Sequence, residues 1–110
     1  MDHKIIEAYY QDLAVSPAYE ALKKNFRNPE KCQEHRLIIT REIYSKCDEV
    51  LTTILTEVTG RGLYDPATLD TNRDYEVLSE DQHREVHTQW HSASTVMKTC
   101  RQKYLRFWNP

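Results

Sequence analysis

Residues 29–62 read PEKCQEHRLIITREIYSKCDEVLTTILTEVTGRG, and this stretch decides the fold. From Glu30 to Thr59 it holds neither glycine nor proline. It ends on Gly60 and Gly62, the only two glycines in the chain. The prolines are Pro17, Pro29, Pro66 and Pro110, so Ala67 to Asn109 is a second run without a helix breaker. A β-protein of this size needs many tight turns, and these draw on Gly and Asn-Gly pairs. The supply here is too small, so the chain reads as all-α with one corner near its middle.

Within the quoted stretch, Ile39, Ile43, Cys47, Val50, Ile54 and Val58 form one apolar stripe at helical spacing. Leu37, Tyr44, Leu51 and Leu55 form a second. Together they predict a helix over 29–59 whose apolar face is wider than a two-helix seam needs, so it touches elements on two sides. If straight, this helix is roughly 45 Å long, while a compact chain of this size has a radius of gyration of about 13 Å. The molecule is therefore elongated, or the helix is kinked, or its end packs on a partner.

Working outward toward the N-terminus, Asn28-Pro29 and Ser16-Pro17 each pair a capping side chain with a proline at the first helical position. They divide the first residues into two short helices. The first, 3–14, has Ile5, Ile6, Tyr9, Tyr10 and Leu13 on one face; the second, 17–27, has Ala18, Leu22 and Phe26. Toward the C-terminus, 60–78 reads as an irregular loop, with Asp65-Pro66 capping a short turn at Ala67–Leu69. Ser79-Glu80-Asp81-Gln82 then fits a capping box. It opens a helix over 80–107 in which Val86, Trp90, Ala93, Met97, Cys100, Tyr104 and Phe107 repeat every 3.5 residues. The expected fold is a small helical bundle in one domain, 1–110. It has two short N-terminal helices and two long antiparallel ones, joined by a connection of about 20 residues where bundles usually use 2–8.

The net charge of −2 gives no global footprint for nucleic acid. The charge is uneven, however: residues 60–85 carry seven acids and three bases, whereas 86–110 carry four bases and no acid. The N-terminal residues lack the apolar segment of a signal peptide, and no run is long and apolar enough for a membrane span. Three cysteines make an odd number without a C-x-x-C pair. Cys32 and Cys47 lie about 22 Å apart on one helix, too far for a disulfide. All three fall on apolar faces. Free, buried thiols and a cytoplasmic, reducing compartment are expected.

Motifs are few. His83, His87 and His91 recur every fourth residue, and adjacent pairs such as His83 and His87 can point two imidazoles at one metal. The glutamate of H-E-x-x-H is out of place, and the row drifts onto the polar face. The plainer reading is exposed boundary histidines, so no metal site is assigned. Cys32-x-x-His35 is at most half of one. Residues 70–81 place Asp70, Asn72 and Asp74 as oxygen ligands of a calcium loop closed by Asp81, but Tyr75 stands where the turn requires glycine. A solvated acidic loop explains them as well. Lys98, Arg101, Lys103 and Arg106, interleaved with Tyr104, Phe107 and Trp108, make a basic aromatic helix end. It suits nucleic acid or an acidic protein surface, or simply matches the helix dipole. No nucleophile elbow, glycine-rich phosphate loop or P-loop lysine is present, so no catalytic residue, cofactor or enzymatic activity is expected.

These features rank a non-enzymatic cytosolic protein-binding module first: an adaptor, subunit or inhibitor of a larger protein, with homodimerisation as one form. Its partner-binding candidates are Asp70, Asp74, Tyr75, Lys98, Arg101, Arg106 and Trp108. A small nucleic-acid-associated regulator using the basic end comes second. A metal protein using the histidine row comes third.

Overall fold

The computed structural model describes residues 1–60 and 78–108. Among the described residues the chain forms four helices: α1 (His3–Ala14), α2 (Pro17–Lys24), α3 (Pro29–Thr59) and α4 (Glu80–Tyr104). Among the described residues there is no strand, as the shortage of turn residues predicts.

Each helix begins on a side chain that satisfies an otherwise orphaned amide. The Asp2 carboxylate accepts from the Lys4 amide at 2.9 Å, Ser16 from Tyr19 at 3.3 Å, and Asn28 from Lys31 at 3.2 Å. Ser79 and Gln82 complete the reciprocal box predicted for α4. Gly60 closes α3 in the left-handed region, φ +77°, and its amide donates to the Thr56 carbonyl at 2.8 Å. A residue without a Cβ is favoured there.

Two helix ends differ from the sequence expectation. α2 stops at Lys24 and not at 27, because the Asn25 side-chain amide donates to the Ala21 carbonyl at 2.8 Å and caps the helix itself. The Asn25 carbonyl then accepts from the Asn28 amide, which hands the chain to α3. α4 stops at Tyr104 and not at 107. The Phe107 amide leaves the helical ladder to donate to the Tyr19 hydroxyl at 3.2 Å, and the Trp108 amide turns back to the Leu105 carbonyl. Leu105, not Phe107, thereby enters the core: Leu105 is fully buried and Phe107 is 40% exposed.

Side-chain pairs fix the directions of the helices. His3 meets Ser92, and Glu7 and Gln11 both meet the Tyr104 hydroxyl, so α1 runs parallel to α4. Cys47 meets Met97 and Thr40 meets Trp108, so α3 runs antiparallel to α4. The N-terminal ammonium pairs with Glu57 at 3.1 Å, and Lys46 lies over the Tyr9 ring, so α1 is also antiparallel to α3. The result is a bundle of α1, α3 and α4, with α2 folded back on α3. Phe26 just beyond α2 packs edge-on against Phe107 at 5.2 Å.

One core joins Ile6, Tyr10, Leu22, Ile39, Val50, Ile54, Met97 and Leu105. Each large apolar side chain buried there contributes about 1.5–3 kcal/mol. The extents are 50 × 29 × 18 Å, and the radius of gyration of 16.2 Å exceeds the ~13 Å of a compact chain. The length of α3 thus resolves into an elongated molecule.

The second stripe of α3 does not behave as one surface. Leu55 is buried and Leu51 half-buried, but Leu37 and Tyr44 are 50% and 67% exposed. Phe26 also lies at the surface. Of the three free cysteines only Cys100 is buried, and Cys32 and Cys47 are half-buried.

Candidate functional site between α3 and α4

The C-terminal turn after α4 crosses the N-terminal half of α3, and the site is built there. The Trp108 indole nitrogen donates to the Thr40 hydroxyl at 3.0 Å, while that hydroxyl donates to the Arg36 carbonyl at 2.7 Å. Thr40 is thereby held in one orientation, and the indole is fixed as a wall. One helical turn further along α3, Tyr44 joins the lining. Thr40, Ile43, Tyr44, Cys47, Arg101 and Trp108 line a groove of about 300 Å³.

Among the described residues Arg101 is the only ionic side chain in this lining. It is half-buried, and its guanidinium donates to the Tyr10 hydroxyl at 3.4 Å. No carboxylate among the described residues forms an ion pair with it. A guanidinium offers five donors in a planar fork, so most of its hydrogen-bonding capacity faces the groove or water. The neighbouring base Lys103 is engaged differently: it pairs with Glu7 at 3.7 Å and lies over the Tyr104 ring.

Two titratable groups that interact with Arg101, the Tyr10 hydroxyl and the Cys47 thiol, are shifted toward their neutral forms. Burial pushes the Tyr10 hydroxyl above its ordinary value, with the hydrogen bond from Arg101 acting against it. Burial likewise pushes the Cys47 thiol up, and the Arg101 cation opposes this only in part. The thiol donates weakly to the Met97 sulfur at 3.9 Å. Cys47 is accordingly a protonated packing residue near neutral pH and not an activated nucleophile.

Of the residues singled out in the sequence, the fold brings Arg101 and Trp108 into this one groove. Lys98 and Arg106 are exposed and lie outside its lining. Asp70, Asp74 and Tyr75, with the whole calcium-like segment up to residue 77, fall outside the described residues. His83, His87 and His91 are all exposed. No group of three or more His, Cys, Asp or Glu side chains suited to a metal occurs among the described residues. Cys32 and His35 are both half-buried on α3, and His35 Nδ1 is buried without a hydrogen-bond partner among the described residues.

Sequence reasoning missed Thr40, Tyr44, Cys47 and Tyr10 as parts of the site. Tyr44 was legible as an aromatic at the edge of an overly wide apolar face. The approach of Tyr10 to Arg101 spans 91 residues and leaves no local signal. No helix is long and apolar enough to cross a membrane among the described residues. Comparison of the chain with protein-family models, with curated proteins and with solved structures finds no match.

Proposed function

We propose that this chain is a non-enzymatic protein-binding module, an adaptor, subunit or inhibitor that takes an acidic segment of a protein partner into the α3/α4 groove. The observation that carries this reading is the half-buried Arg101, unpaired by any carboxylate among the described residues and lining the same groove as Trp108 and Tyr44. Arginine, tryptophan and tyrosine are the residue types that dominate binding energy at protein interfaces. A carboxylate entering the groove would meet the guanidinium fork in a partly desolvated setting, where a charge-assisted hydrogen bond is stronger than on an open surface. An apolar neighbour of that carboxylate would cover the exposed faces of Tyr44 and Trp108. Three free thiols are consistent with a reducing, cytosolic setting.

The test is affinity purification from native cytosol with two baits in parallel, the unaltered chain and Arg101→Gln. A partner retained by the first and lost by the second supports the reading. No specific partner, or one held equally by both baits, refutes it.

Nucleic acid is the competing ligand for the same basic end. Lys103 is already engaged with Glu7, and Lys98, Arg101 and Arg106 are left to contact phosphates. Three contacts give weak binding with a log–log salt slope of about −2 to −3. Titration of mixed oligonucleotides at low and moderate salt decides this reading, and no binding at low salt ends it.

A further inference from the structure

Apart from Tyr44, which also lines the groove, the outer face of α3 is not used by the groove. On that face Leu37, Arg41, Tyr44, Asp48 and Leu51 follow one another at spacings of four, three, four and three residues. This is a second 3.5-residue repeat, the pattern of a helix that packs along another helix. Leu37 and Tyr44 are 50% and 67% exposed, and Arg41 and Asp48 are exposed as well. Neither Arg41 nor Asp48 forms an ion pair among the described residues. They lie about 10.5 Å apart along their own helix, too far to pair with each other.

We propose that a second copy of this chain docks antiparallel on this face, two-fold related about a point between Tyr44 and Ser45. Arg41 and Asp48 decide the occupant. They stand three and a half residues on either side of that point, with opposite charges. A two-fold axis there sets Arg41 level with Asp48 of the second copy, and Asp48 level with Arg41 of the second copy. The same operation brings the two Tyr44 rings to within one residue of level, and Leu37 to within one residue of Leu51 of the second copy. A parallel pairing in the same register would set Arg41 against Arg41 and Asp48 against Asp48. The face is thus complementary to itself in one direction only, which is the requirement for a closed, isologous dimer. The seam stops at Leu55, which is already buried. It spans about two heptads, so the dimer dissociates on dilution. Tyr44 borders the groove as well, but Leu37, Arg41 and Asp48 do not line it. The dimer shares only Tyr44 with the groove, so variants at Arg41 and Asp48 test it apart from the proposed function.

The test is sedimentation equilibrium of the full chain from micromolar to millimolar concentration, with Arg41→Asp and Asp48→Arg studied separately and mixed. The unaltered chain is expected to dimerise. Each reversal replaces two attractive pairs with two repulsive ones and weakens self-association about tenfold. An equimolar mixture of the two variants restores both attractive pairs, so it associates at least as tightly as the unaltered chain. If a reversal disturbs the helix, as circular dichroism would reveal, Arg41→Gln and Asp48→Asn replace it, each weakening the dimer about threefold. A strict monomer at millimolar concentration overturns the proposal. So does a dimer indifferent to both charges, or a mixture no tighter than its components.

Discussion

Leu105→Ala and Phe107→Ala form a pair that separates this fold from a simple extrapolation of the α4 heptads. The 3.5-residue repeat in the sequence points Phe107 into the seam. The structure ends the helix at Tyr104 and turns Leu105 inward instead. The Leu105 side chain is fully buried. Truncating a buried leucine to alanine costs about 2–5 kcal/mol, depending on how far the cavity collapses. The site lies at the end of the bundle beside the terminal turn, where relaxation is easier than at mid-helix, so about 2–3 kcal/mol is expected. For a chain of this size that lowers the Tm by roughly 10–20 °C. Phe107 is 40% exposed and its principal contact is the edge-on ring of Phe26 at 5.2 Å. Such a pair contributes about 0.5–1.5 kcal/mol. The hydrogen bond from its backbone amide to Tyr19 survives the substitution. Phe107→Ala should therefore cost about 1 kcal/mol, half the effect of Leu105→Ala or less. Urea denaturation followed by helical circular dichroism measures both. A larger loss for Phe107→Ala than for Leu105→Ala would mean that the helix and its repeat continue past Tyr104, and it would refute the terminal turn on which the groove depends.

Thr40→Val and Trp108→Phe each remove the 3.0 Å hydrogen bond between these side chains and should cost about 1 kcal/mol. The double variant should cost less than the two losses added, and a fully additive denaturation cycle would mean that the residues do not interact. Ser79→Ala removes the α4 cap and should cost about 1 kcal/mol by the same measurement; no loss would place the helix start elsewhere. Alkaline pH should destabilise the fold through Cys47 and Tyr10. Both are raised above their ordinary values of 9.0 and 10.0, so the unfolded chain releases these protons first. Their contribution is complete below about pH 9 and declines as the pH rises through the raised values. Cys47→Ala should flatten the early part of that decline in urea midpoints taken against pH, and an unchanged slope would remove Cys47 as a cause.

The parts of the fold that were legible in the sequence are those set by local chemistry. Ser16-Pro17, Asn28-Pro29 and Ser79 with Gln82 mark helix starts because cap and amide lie within three residues of each other. Gly60 marks the end of α3 because its φ is positive. The misread ends were decided by competition between local and distant partners. Asn25 caps α2 with its own side chain, and Tyr19 draws the Phe107 amide out of α4 across 88 residues. Apolar width on α3 was visible as well. Periodicity alone could not say that Leu37 and Tyr44 face outward while Leu55 is covered. The site was legible only in part. Arg101 and Trp108 stood out as members of a basic aromatic end. Their division from Lys98 and Arg106 depends on Thr40 and Tyr10, which the bundle brings near from α3 and α1.

Selection from a displayed random-peptide library on the immobilised chain tests the central claim most directly. The α3/α4 groove predicts enriched peptides that carry an acidic residue beside an aromatic or aliphatic one. They should compete with one another and lose at least tenfold in affinity for Arg101→Gln, since truncating one partner of a partly buried charge pair costs about 2 kcal/mol or more. Enrichment of peptides without an acid, or equal binding to the Arg101→Gln chain, would contradict it.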